Sequence, residues 1–326
     1  MKQKQALDVL KAGKNVYLTG AAGSGKTHVL NQYVSYIKER GIPIAVTAST
    51  GIAATHLGGV TLHSWSGVGV RDALSHAELE ALEQKEYLWK RFEKTKILVI
   101  DEVSMLSPRL FDTVERICRT MKRNDKPFGG MQIVLAGDFF QLPPITRGST
   151  ATEFIHISEA WKASDIRVCY LEEQFRHGDA TLENLLNEIR SGVVSSRTKE
   201  ILMSTGKKER KGNTLPTRLY THNADVDAEN EIELRKLQGE EKTYEMRTKG
   251  KSHLVETLKK NILAPETLRL KKNAVVMFVK NNAEDGYSNG TLGIVEDFDD
   301  DTPIVRMFNG RAIAVSSVEW EIIEDE

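Results

Sequence analysis

The chain has 326 residues, 40% of them apolar and 28% charged, which is enough for two domains of ordinary size with sizeable cores. Its 45 basic and 46 acidic side chains nearly cancel, so a surface cationic throughout is excluded and any polyanion site has to be a local patch. No apolar run approaches the ~18 residues of a membrane span, the opening residues 1–15 are too polar for a signal-peptide core, and Cys118 and Cys169 form neither a metal-ligand spacing nor a disulfide framework, so the expectation is a cytoplasmic protein.

Val16-Tyr17-Leu18-Thr19 is a short apolar run ending in a glycine-rich turn, the pattern of a buried parallel strand. The next segment carries Leu30, Val34 and Ile37 on one helical face and stops at Gly41, with Pro43 beyond. Ile44-Ala45-Val46 opens a second strand, and Ile97-Leu98-Val99-Ile100 is a third that ends in Asp101-Glu102. Ser107-Pro108 reads as N-cap and first helical position, followed by Leu110, Phe111, Val114, Ile117, Cys118 and Met121 at helical spacing. Gln132 to Ala136 is a fourth strand, running into Gly137-Asp138. This alternation predicts an α/β domain with a parallel sheet and helices on both faces.

Residues 60–95 interrupt that rhythm. Ser75 followed by Glu78 is a capping box, and Leu79, Leu82, Trp89 and Phe92 mark a loosely amphipathic helix, together predicting a small inserted subdomain. A second α/β unit is expected from Val168, with a helix through Leu182, Leu185, Leu186 and Ile189 and a strand at Arg218 to Thr221. After Pro265 short apolar strands take over, at Ala274 to Val279, Thr291 to Val295, Ile304 to Met307 and Ala312 to Val315, and Asn309-Gly310 between the last two predicts a hairpin. The domain reading is 1–167, 168–267, and a β-rich, barrel-like segment at 268–326.

Gly20-Ala21-Ala22-Gly23-Ser24-Gly25-Lys26-Thr27 matches the phosphate-binding loop pattern between a strand and a helix. Gly20, Ala22, Gly23, Ser24, Gly25, Lys26, Thr27 and the following His28 bring backbone N–H groups and a helix N-terminus to one place. Lys26 is expected to reach the β and γ phosphates, and the Thr27 hydroxyl to hold Mg²⁺. Asp101 is expected to hold the same ion through water, and Glu102 to orient and deprotonate the attacking water. Gln141, in Gly137-Asp138-Phe139-Phe140-Gln141-Leu142-Pro143-Pro144, is placed to sense the γ phosphate, since a carboxamide bonds both water and phosphate. These residues point to hydrolysis of ATP or GTP and leave open what it drives.

Further segments stand in a known order. The loop, Thr47 to Ala54, Thr61-Leu62-His63-Ser64, Ile100 to Leu106, Gly137 to Pro144 and Leu171-Glu172-Glu173-Gln174-Phe175-Arg176-His177 together resemble the PIF-type, RecD-like branch of superfamily 1 DNA helicases, with Asn289-Gly290 in the β-rich part. The resemblance implies a motor with two RecA-like domains, the second partial here, and an SH3-like insertion at 268–326. It implies ATP and Mg²⁺ as cofactors, with Gln3 reading adenine and Arg176 supplying a cation to the γ phosphate. It further implies 5′-to-3′ translocation on single-stranded DNA, action at single-strand/duplex junctions and on G-quadruplexes, monomeric function on DNA, roles in repair and recombination, and a place near the nucleoid if the source is bacterial. Ser49, Thr50 and Gly51 resemble one DNA-backbone motif and His63 and Ser64 another, with Trp65 beside them able to stack on a base.

The family's His-Lys-Ser-Gln-Gly type segment and its final Ser-Arg segment do not follow the β-rich part in this sequence, which predicts a fragment or a truncated helicase in which phosphate binding survives. Two other functions fit the loop: a single-stranded DNA-binding ATPase without unwinding, and a nucleotide or small-molecule kinase. A kinase needs an arginine-rich lid, and residues 60–95 offer only Arg71 and Arg91.

Overall fold

The structure is a computed structural model that describes residues 1–69, 71–144, 152–173, 180–206, 218–220, 223–282 and 284–321. It divides into two compact units, Met1–Lys208 and Glu209–Glu326.

The first unit opens with helix α1 (Gln3–Lys11), strand β1 (Val16–Gly20) and helix α2 (Lys26–Glu39), followed by β2 (Ile44–Ala48), α3 (Gly51–His56), β3 (Val60–Thr61) and α4 (Leu62–Ser66). Then come α5 (His76–Glu83), α6 (Glu86–Lys94), β4 (Ile97–Asp101), α7 (Pro108–Lys122), β5 (Gln132–Ala136), α8 (Glu159–Ala163), β6 (Arg167–Leu171), α9 (Ala180–Ser191) and α10 (Ser196–Thr205). Six strands form one sheet in the order β3-β2-β4-β5-β1-β6, every neighbour parallel. The central strands are buried along nearly their whole length because helices cover both faces, and the alternation within each strand shows it. Tyr17, Leu98, Ile100, Ile133 and Leu135 join one core with Phe111, Val114 and Ile117 of α7. Val16, Leu18, Ile97, Val99, Val134 and Ala136 join the opposite core with Leu10 of α1 and Leu30, Tyr33 and Val34 of α2. Helix α7 starts as the sequence predicts, with the Ser107 hydroxyl accepting the Leu110 N–H at 3.1 Å and Pro108 at the first helical position.

Two expectations for this unit need correction. The boundary expected at Val168 falls inside β6, which pairs with β1 from Val16↔Arg167 to Gly20↔Leu171 and closes one edge of the first sheet. The 60–95 segment does not form a subdomain with its own core. Its capping box is present at Ser75 and Glu78, but the expected single helix breaks at Gln84–Lys85, and Leu62, Trp65, Leu79, Leu82, Leu88 and Phe92 pack into the same core as the sheet and α7.

The second unit holds α11 (Asn223–Lys236), β7 (Lys242–Glu245), α12 (Ser252–Asn261), β8 (Thr267–Leu270), β9 (Val275–Met277), β10 (Leu292–Asp299), β11 (Thr302–Met307) and β12 (Ala312–Ala314). β7 and β8 form an antiparallel pair, and β12-β11-β10-β9 form an antiparallel sheet over a core of Leu270, Phe278, Tyr287, Val295, Val305, Met307 and Ile313. The predicted hairpin is there, with Gly310 at φ 92 between β11 and β12. The strand expected at Arg218 to Thr221 is not: Arg218–Tyr220 is irregular, Arg218 pairs with Glu229 of α11, and Thr221 lies outside the described residues.

Candidate active site

A parallel sheet delivers the carboxyl ends of its strands to one edge, and the candidate motifs follow those ends. The glycine loop follows β1, Ser49-Thr50-Gly51 follows β2, His63 and Ser64 follow β3, Asp101-Glu102 ends β4, and Gly137 to Gln141 follows β5.

The loop has the backbone that its glycines predict. Gly23 and Gly25 lie at φ 84 and 83, where L side chains are strained, and a Cβ on Gly20 would sit 2.7 Å from the Leu171 carbonyl oxygen. The Lys26 ammonium crosses the loop, donating to the carbonyls of Gly20 at 2.9 Å and Ala21 at 3.2 Å. Burial lowers its pKa, while Asp138, Glu102 and Asp101 pull the other way, so four charges from three strand ends act on one another. Thr27 and His28 are exposed at the start of α2, and Ser24 is fully buried with its hydroxyl unpartnered. Gln3 stands beside the loop, its side-chain amide donating to the Ser24 carbonyl at 3.1 Å, while its own N–H donates to Glu173 at 3.0 Å.

Asp101 is 8% exposed, and burial pushes its carboxyl up to about 6, against the pull of the Glu102 N–H that it accepts at 2.9 Å. Glu102 takes a left-handed conformation, φ 52 and ψ 43, which turns the chain sharply out of β4. Its half-buried carboxylate makes no side-chain hydrogen bond among the described residues. A Cβ on Gly137 would lie 3.0 Å from the Val103 N, so any larger residue would have to push the start of the turn after β4 aside. Glycine amides at a helix start, a lysine, an exposed threonine hydroxyl and the two carboxylates at the end of β4 form a donor set that fits a magnesium-bound polyphosphate.

Sequence reasoning missed a pair here. Asp138 is 1% exposed and makes a two-pronged ion pair with Arg190 of α9, at 2.7 and 2.8 Å, and the Gln141 side-chain amide donates to the same carboxylate at 3.1 Å. The only sequence signal for Asp138 is its place after a buried strand. Arg190 has none, since the pair spans a separation of 52 residues.

The Ser49 N–H donates to the Asp101 carbonyl at 3.1 Å, and Thr50 caps α3 by accepting the Ala53 N–H at 3.3 Å. The turn after β2 is thus joined to the acidic strand end beside it. Gly51 and Ser64 are exposed and His63 is half-buried, with burial lowering its pKa and Asp72 opposing that. Trp65 leaves the list of base-stacking candidates: it is 4% exposed and packs against Phe92 at a centroid distance of 4.6 Å. Replacing it should act on stability, with Trp65→Ala costing about 3–5 kcal/mol in denaturant unfolding and leaving the DNA affinity of the folded fraction unchanged. A selective loss of DNA binding would restore the stacking role. Arg176 lies outside the described residues.

A family profile described as PIF1-like helicase matches residues 2–200. The chain belongs to the PIF1-like helicase family. A second profile, described as DNA helicase Pif1, 2B domain, matches residues 253–298 of this PIF1-like chain. The chain is 49% identical over 303 residues to an ATP-dependent DNA helicase Pif1 of a Psychrobacter species, covering 90% of this chain and 46% of that protein. It is 32% identical to the Pif1 helicase of Bdellovibrio bacteriovorus, covering 99% of this chain and 73% of that one. It spans about half the length of several curated relatives it matches, the human helicase PIF1 among them at 50%. Two solved structures superpose on it. One is the Pif1 helicase of Candida albicans, with a TM-score of 0.79, 32% identity, and 96% and 77% of the two chains covered. The other is the Pif1 helicase of Bacteroides in complex with ADP-AlF3 and single-stranded DNA, with a TM-score of 0.68, 32% identity, and 95% and 72% covered. The first unit is accordingly a RecA-like P-loop domain, and membership of this family sets the kinase alternative aside. No helix of the described residues is long and apolar enough to cross a membrane.

Proposed function

We propose that this PIF1-like chain carries the ATP-binding core of a DNA helicase that couples hydrolysis to 5′-to-3′ movement along single-stranded DNA and to opening of the duplex ahead. The convergence of Lys26, Asp101, Glu102 and Asp138 at adjoining strand ends carries this reading, because it gathers the charges that a transferred phosphoryl group requires. Lys26 and the loop amides hold the phosphates, and Gln3 faces the base. Thr27 and Asp101 hold Mg²⁺, which when bound would neutralise charge on the phosphate oxygens. Glu102 accepts the proton of the attacking water, Gln141 aligns that water against the γ phosphate, and Arg176 supplies a further cation.

On the same edge, the turns at Ser49 to Gly51 and at His63 and Ser64 face the DNA backbone with small, hydroxylated residues. The hydrogen bond from Ser49 to Asp101 gives strand and nucleotide a common element. The remaining proposals follow the family: a first RecA-like domain, a partial second one, the β-rich 268–326 segment as an SH3-like insertion, action at junctions and on G-quadruplexes, monomeric function on DNA, and a cytoplasmic, nucleoid-associated location.

The test is ATP hydrolysis with and without oligo-dT. Strong stimulation is expected, with an affinity for oligo-dT that tolerates sequence and whose logarithm falls against log salt by about 0.7 per phosphate neutralised. Turnover indifferent to DNA, or an affinity indifferent to salt, overturns the proposal.

A further inference from the structure

Asp138 and Arg190 form a buried, two-pronged ion pair in the first unit, with Asp138 three residues before the sensor position and in direct contact with it. The carboxylate is saturated with donors. Oδ1 accepts from Arg190 Nη2 at 2.8 Å and from the Phe140 N–H at 3.2 Å, while Oδ2 accepts from Arg190 Nη1 at 2.7 Å and from Gln141 Nε2 at 3.1 Å. The Asp138 carbonyl also accepts the Gln141 N–H at 2.8 Å. Gln141 is therefore held through backbone and side chain by one residue. Phe140 closes the assembly from outside, its ring 4.4 Å from the guanidinium carbon although the side chain is 72% exposed.

An ionised carboxylate only accepts hydrogen bonds, so it dictates which end of a neighbouring carboxamide turns towards it. Here the NH₂ end must face Asp138. That leaves the second N–H and the carbonyl oxygen of Gln141 for other partners, one to donate to a phosphate oxygen and one to accept from water. Burial alone would raise the Asp138 pKa, yet the bonds from Arg190, Gln141 and Phe140 hold it below the usual carboxylate range. A planar guanidinium fills both oxygens at once, which a lysine ammonium cannot do.

We propose that Arg190 is a positioning residue for phosphoryl transfer, acting through Asp138 to fix the Gln141 amide and so tying helix α9 to the loop that follows β5. The inference rests on the reading of Gln141 as the residue that aligns water against the γ phosphate. It adds that the sensor is set by a helix whose arginine lies 52 residues from Asp138 in sequence, and that displacement of α9 releases it. A plain structural pair would hold α9 in place and have no effect on how the site distinguishes a ground state from a transition state.

That difference can be measured without turnover. The experiment compares the affinity of the full chain, with magnesium, for fluorescent ADP alone and for fluorescent ADP with aluminium fluoride, which mimics the transferred phosphoryl. Arg190→Ala and Gln141→Ala are each expected to weaken the aluminium fluoride complex by about tenfold while leaving ADP affinity within about twofold. The double variant is expected to be no weaker than Gln141→Ala, because Arg190 acts on the transferred phosphoryl only through Gln141. Arg190→Lys and Asp138→Asn, which perturb packing less, are expected to show the same selective loss, so poor folding of Arg190→Ala does not decide the matter. Multiplied losses in the double variant, or equal weakening of both complexes, overturn the role of Arg190. Full affinity for the aluminium fluoride complex in Gln141→Ala overturns the reading of Gln141 itself, a separate result because it appears without any change at Arg190.

Discussion

Lys26→Ala is expected to remove ATP turnover, by about 10²–10³-fold or more, since it deletes the one cation inside the loop where transferred charge develops. The protein should still fold. Lys26 is half-buried and, among the described residues, its ammonium bonds only the carbonyls of Gly20 and Ala21, so no distant part of the core depends on it. Those bonds also show the side chain lying across the cradle, already desolvated, where exchanging two carbonyls for phosphate oxygens needs little movement. The check is phosphate release in saturating oligo-dT beside a thermal melt. Turnover retained in a folded Lys26→Ala protein would refute the assignment.

Glu102→Gln separates binding from chemistry. The amide has the size of the carboxylate and cannot take a proton, so hydrolysis should fall by about 10²–10⁴-fold. Nucleotide affinity should stay within about twofold, because the loop amides, Lys26 and Asp101 are untouched. The geometry favours this outcome: the Glu102 carboxylate has no side-chain hydrogen bond among the described residues, whereas its neighbour Asp101 is buried and held by the Glu102 N–H. Equilibrium binding of a fluorescent ATP analogue beside steady-state turnover distinguishes the two. Loss of binding in a folded variant would move Glu102 from the proton-transfer role to the nucleotide-holding one.

What the sequence made legible was local. The glycine loop, the acidic end of β4 and the Ser107-Pro108 helix start are contiguous, and each follows from the chemistry of a few neighbouring residues. The order of the strands is not local, yet alternating apolar runs and helices force a parallel sheet, and a parallel sheet brings every motif to one edge. The misreadings came where a choice depended on a distant partner. Val168 and Tyr170 are exposed while Cys169 and Leu171 are buried, the signature of an edge strand, and nothing in those residues tells which sheet it edges. Trp65 beside two hydroxylated residues looks like a stacking platform until Phe92, 27 residues on, is seen packed against it. The Asp138–Arg190 pair was invisible for the same reason. Arg176 was legible only through its neighbours Leu171 to His177 as a family segment.

The left-handed turn at Glu102 has an implication for how this protein can drift. A residue with a Cβ held there loses roughly 1–2 kcal/mol relative to an ordinary conformation, and glycine would recover much of it. The substitution that most relaxes the backbone is thus the one that deletes the candidate base. Selection for robustness and selection for throughput pull in opposite directions at this position, and any heat-hardened descendant has to find its extra stability elsewhere in the chain.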